Sequence, residues 1–503
     1  SSGQTLTYSG ASLNLGANEL TLTGGGTFNN SNALVLNNAD SLLSLEGIGT
    51  IGNVKATANA NSSKGLHVSS SAALGQYDVS AVSYIEIAAS QTLSGQLNLQ
   101  SGGELTTSGD GQYTGDIALA GGKFSATDDQ VLGGTLSITA DSELGVSENY
   151  TLTLSQTGGL ALGANTLTLS GGGSLVSGGL TLNDTSSKLL LNSITVDSVS
   201  TTIDNSLGVD VDNDSTITSL SVANITPVSI ASGKTLSGAI TVTAGSINLD
   251  ETGTLASTVE MSGGVLDADE SLTVSGVLTQ SGDTTIDVAD NKTLTYSGTA
   301  ISVGANTLTL SGGGSLVSGG LTLNNASSKL LLNSITVDNV STTSDSLGLD
   351  VDNDSTVSSL SVAHITPVSI ASGRSLSGGI TVTAGSLKLT EAGELASTIA
   401  MSGGVLDADN SSTLSGTLTQ SGNITIDVAD DKTLTYSGAA LNLGANTLTL
   451  IGGGTLSNTN ALVLNDANSL LSLAGILVIG DVNGTAASNS GKGIQVTSSA
   501  TIG

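Results

Sequence analysis

The chain has no cysteine, which excludes disulfides, thiolate metal sites and cysteine nucleophiles. Tryptophan is absent as well, and Phe and Tyr number only 2 and 7 in 503 residues. A core built on large rings is not expected from such a supply. Only 11 Lys+Arg stand against 42 Asp+Glu, for a net charge of -31. Nothing can neutralise a row of phosphates, so nucleic acid is excluded as a partner. The same charge opposes anionic membrane surfaces. Two histidines leave little material for a Ser-His-Asp triad or an imidazole zinc site. No stretch reaches ~18 apolar residues, so no membrane insertion is expected. Ser1-Ser2-Gly3-Gln4 has neither a basic nor an apolar run, so no signal peptide is expected and the chain reads as a mature or excised segment.

What is present is small and apolar in alternation. There are 67 Gly, 38% of residues are hydrophobic, and mean hydropathy is +0.24. Disordered chains lack that burial capacity, so the chain is expected to fold.

Internal repeats dominate. The string at Thr293–Gly298 recurs at Thr5–Gly10 and Thr433–Gly438, with a weaker copy at Thr151–Ser155. The anchors Gln4, Tyr150, Lys292 and Lys432 give modules 4–149, 150–291 and 292–431, then a partial module 432–503. Residues 163–183 and 304–324 are identical, reading GANTLTLSGGGSLVSGGLTLN. A 140-residue module divides into seven units of about 20 residues, each with Leu, Val or Ile at alternate positions between Gly, Asn and Asp. This predicts an all-β fold, a β-solenoid read as a right-handed parallel β-helix with about 20 residues per coil. Residues 1–503 are expected to form one continuous solenoid, on the order of 120 Å long at ~4.8 Å per coil. Because 1–75 and 429–503 share one repeat phase without a distinct cap, the chain is expected to be a window of a longer array or to stack end to end.

Chemical signals can be checked against their own copies. Gly47-x-Gly49-x-x-Gly52 resembles a dinucleotide fingerprint, but no helical pattern follows. Gly233-Lys234-Thr235 reads as a coil corner, since its copy is Gly373-Arg374-Ser375. His67 aligns with Gln495 and His364 with Asn224, so neither position is fixed by the scaffold. Asp128-Asp129 and Asp430-Asp431 read as solvated corner acids. Asp210, Asp212 and Asp214, repeated as Asp350, Asp352 and Asp354, have the spacing of half a calcium loop but lack its glycine and its closing Glu. Ca²⁺ is the one ion these residues suggest. No catalytic residue and no cofactor-binding residue is assigned.

In GANTLTLSGGGSLVSGGLTLN and SGAITVTAGS the chain resembles bacterial surface β-helix repeat proteins, the autotransporter passengers and filamentous-haemagglutinin-like adhesins. The resemblance implies a secreted, extracellular or cell-surface rod with a structural or adhesive role and no enzymatic activity. Expected partners are the chain itself, end to end or laterally as a filament, and host-cell or matrix surfaces. The alternatives are a carbohydrate-active β-helix enzyme, a lyase or hydrolase, and an ice-binding solenoid carrying ranks of Thr-x-Thr.

Overall fold

The computed structural model describes residues 2–503, which form two compact units, one ending at Thr258 and the other running from Val259 to Gly503. Each is a β-solenoid, and the described residues form about 24 coils of about 21 residues with parallel strand ladders. No helix occurs among the described residues.

One coil carries three strands on three faces. In the first unit Ser174–Val176 lies on the first face, Leu180–Leu182 on the second and Lys188–Asn192 on the third. Burial follows the sequence alternation, with the Leu of Thr166–Ser170 buried and its Thr and Ser half-buried. Each buried residue stands on its equivalent in the adjacent coil. On the second face Leu160, Leu180, Val199, Leu220 and Ile240 form one ladder. On the third, Leu167, Leu189, Val209, Val228 and Leu249 form another. The second unit repeats the plan, with Ile286, Leu310, Leu332, Val351 and Ile370 in register. Branched aliphatic side chains suit this stacking because each fills the gap above its predecessor.

Five of the nine Phe and Tyr rings that the sequence supplies go inside. Tyr77, Tyr113 and Phe124 are among the largest fully buried side chains. The Tyr77 hydroxyl hydrogen-bonds Ser83 at 2.5 Å, and Tyr113 donates to the Gly95 carbonyl at 2.9 Å. Burial pushes both phenols well above the ordinary tyrosine range.

The recurring Gly-Ala-Asn string makes a corner before the third face. Gly163 adopts φ +58°, and Asn165 returns its side-chain amide to the Leu162 carbonyl at 2.8 Å. The next coil closes the corner: Asn183 Oδ1 accepts from Gly163 N at 2.8 Å, and Ser187 Oγ donates to the Gly163 carbonyl. Gly304, Asn306, Asn324 and Ser328 reproduce every one of these bonds. Identical strings therefore mark identical corners, where the turn needs positive φ and buried backbone groups need side-chain partners.

Candidate functional site

Side chains available for chemistry are those the alternation turns outward. Three of them meet on the third face of the first unit. Glu104, Lys123 and Glu143 occupy the same outward position on consecutive coils, in direct register. Lys123 Nζ lies 3.1 Å from Glu143 Oε1 and 3.9 Å from Glu104 Oε1. All three side chains are about one-third exposed, so each ion pair adds no more than ~1 kcal/mol to stability.

These residues line an open depression of about 460 Å³ together with Gly102, Gly121, Asp141 and Thr166. The paired glycines at the coil corners remove side chains and leave main chain at its floor. Asp141 is anchored by accepting from the Thr166 N–H at 2.7 Å, and Glu143 accepts from Ser170 Oγ at 2.6 Å. Glu104, held only by the longer ion pair, keeps the freer carboxylate. The groove offers carboxylate acceptors, an ammonium donor, hydroxyls and bare backbone within a few ångströms. With three carboxylates to one ammonium its local charge is -2.

The sister coils show that the scaffold does not need these charges. Glu104 corresponds by repeat to Ser246 and Ser386, Lys123 to Val265 and Val405, and Glu143 to Thr285 and Thr425. Ser386, Val405 and Thr425 stand in the same register as the charged trio. Sequence reading passed over the trio because its members lie 19 and 20 residues apart in unlike strings. A search for charges at one-coil spacing, each just before an inward Leu or Phe, would have found them.

The second unit carries a different charged row, one outward position further along the strand. Asp267 pairs in register with Asp287, and Asp407 with Asp427. Burial first, then the charges of Asp269 and Asp287, push Asp267 up to about 6. Lys388 stands beside Asp407 at 3.3 Å and Asp409 at 2.7 Å, and is held above the usual lysine range chiefly by its hydrogen bond to Asp409. Burial raises Asp407 and Asp427 as well.

The aspartates with calcium-loop spacing are distributed among separate tasks. Asp210 is ion-paired with Lys188, and Asp350 with Lys329 at 2.6 Å. Asp214 and Asp354 accept from the backbone N–H groups of Thr235 and Ser375, each at 2.8 Å. Asp212, on the strand Gly208–Asn213, and Asp352, just past the strand Gly348–Val351, are exposed. Among the described residues no group of three or more His, Cys, Asp or Glu side chains is arranged to hold a metal ion.

The remaining motifs fall on the scaffold. Gly47, Gly49 and Gly52 flank the short strand Thr50–Ile51, and no helix follows. Gly233-Lys234 closes a tight turn in which Lys234 N donates to the Ala231 carbonyl at 2.9 Å. His67 is half-buried, with Nε2 3.6 Å from Glu86 Oε2, because the register stacks it directly on that glutamate. Compared with protein-family models, curated proteins and solved structures, the chain matches none.

Proposed function

We propose that this chain is an extracellular structural and adhesive segment, built of stacked coils and belonging to a longer repetitive surface protein of bacterial type. One observation carries the reading. The side chains free for chemistry sit at outward positions that sister copies fill with Ser, Val and Thr, over an open depression and not an enclosed cleft. Exchange at such positions alters the surface and leaves the ladders beneath in place. The acidic, cysteine-free composition agrees with an exported protein, where net charge keeps repetitive β-structure soluble.

A carbohydrate-active enzyme is the second reading, because Glu104 and Glu143 flank one groove. However, Lys123 fills the space between them, where a glycosidase would hold the scissile bond. The two readings separate in one experiment. Beads coated with the full chain are expected to adhere to cell or matrix surfaces, and a polysaccharide panel is expected to yield no reducing or unsaturated ends. Product release that disappears in Glu104→Ser or in Glu143→Thr would establish catalysis in place of adhesion.

A further inference from the structure

We infer that the Glu104–Lys123–Glu143 groove binds a neutral, hydroxyl-rich glycan chain laid along the solenoid axis. The inference rests on the adhesive reading above and names the ligand for its surface.

Four observations converge on that chemistry. First, the trio forms an acceptor–donor–acceptor row at one-coil intervals, Lys123 standing between Glu143 at 3.1 Å and Glu104 at 3.9 Å. Carboxylates take two hydroxyl donors each and an ammonium gives three protons, so the row can satisfy the mixed donor and acceptor hydroxyls of a sugar. Second, the coil rise of ~4.8 Å is close to the length of one pyranose ring, so a linear glycan along the axis offers about one ring per coil. Third, glycine corners at Gly102 and Gly121 bare the main chain, and the space at Gly102 is open, since a Cβ there would meet nothing closer than 3.9 Å, whereas one at Gly121 would press on Ser101 at 3.3 Å. A ring can settle there against backbone. Beside the row, Tyr84 stands one coil before Thr106, which precedes Ser125 and Gly145 in register. It supplies an aromatic next to a strip of small residues.

Charge selects within the glycans. Glu104, Asp141 and Glu143 outnumber Lys123, and the whole chain carries -31, so uronate or sulfate polymers are repelled. The charges belong to this coil group alone, since the sister rows hold Ser, Val and Thr at the same register positions.

The same repeat supplies the test. The triple variant Glu104→Ser, Lys123→Val, Glu143→Thr installs residues that the fold already carries at those positions, so it is expected to fold with unchanged circular dichroism and melting. Titration calorimetry of the full 503-residue chain would use hexasaccharides of β-1,4-glucose, β-1,3-glucose and β-1,4-N-acetylglucosamine, with alginate and chitosan as charged comparisons. The expected result is binding of at least one neutral hexasaccharide, weakened about tenfold or more in the triple variant, which is the loss of one or two charge-assisted hydrogen bonds. No heat with any neutral hexasaccharide at millimolar concentration would overturn the inference. So would binding that the triple variant retains, or binding to chitosan alone that salt abolishes, which is charge attraction only. If beads bearing the triple variant still adhere to surfaces while no neutral glycan binds the parent chain, the adhesive reading survives and the ligand assignment falls.

Discussion

Replacing Leu310 by Ala tests whether these ladders act as a chain of nearest-neighbour contacts. Leu310 is fully buried and stacks between Ile286 and Leu332 on the third face of the second unit. Its removal deletes about three carbon groups of buried surface and leaves a cavity bounded by two rigid rungs. Those rungs cannot collapse inward without breaking their own register, so the cost belongs in the range of about 2.7–5 kcal/mol found for Leu→Ala in packed cores. In a solenoid each coil touches only its neighbours, so the loss is confined to the coils on either side. Hydrogen-exchange mass spectrometry reads this directly: amides of Thr284–Val288, Thr307–Ser311 and Lys329–Leu332 are expected to exchange roughly 100- to 5000-fold faster. Those of Thr447–Ile451, several coils away, are expected to keep their protection. Thr309→Ala, one residue along the strand but facing outward, is the control and is expected to stay within about 0.5 kcal/mol. Equal acceleration across the whole second unit, or an equal effect of the two substitutions, would refute the nearest-neighbour account.

Other outcomes follow from single groups. Because burial and neighbouring acids hold Asp267 at about 6, the fold binds its proton more tightly than the unfolded chain does. The resulting stabilisation is complete below pH ~4 and is lost as pH rises through about 6. The shift of roughly two units corresponds to about 3 kcal/mol, which solvent screening at this half-exposed carboxyl reduces to about 1. Asp267→Asn is therefore expected to raise the urea midpoint at pH 7 and to flatten its slope between pH 4 and 6. Asn324→Ala removes the acceptor for Gly304 N and the donor to Ser302 Oγ, and is expected to cost about 1 kcal/mol in thermal unfolding. Tyr77→Phe strands the buried Ser83 hydroxyl and is expected to destabilise by about 1–3 kcal/mol, while Tyr84→Phe, on the outward side, is expected to leave melting unchanged. Millimolar calcium is expected to leave the melting temperature where it is, since Asp210 and Asp350 are already paired with lysines. A rise of several degrees that Asp212→Asn abolishes would assign a site there.

Much of this architecture is determined locally, and the sequence alone carries it. Alternation of Leu with Thr in Thr166–Ser170 decides which side chains are buried, because a strand turns successive residues to opposite faces. The Gly-Ala-Asn strings decide where a coil turns, since positive φ and an amide reaching back three residues are properties of a few adjacent residues. Module length and coil size follow from the recurrence of those same signals. What only the tertiary structure decides is which outward residues become neighbours across coils. Glu104, Lys123 and Glu143 meet because the coils between them close after 19 and then 20 residues. Around Asp267 and Asp287 a position one outward place further along the strand brings two carboxylates together, and one of them is pushed up to about 6. One residue more or less in a coil would turn a ladder partner to the opposite face or shift it along the row. Contacts between charges on separate coils therefore depend on the summed geometry of every corner in between, which no local pattern encodes.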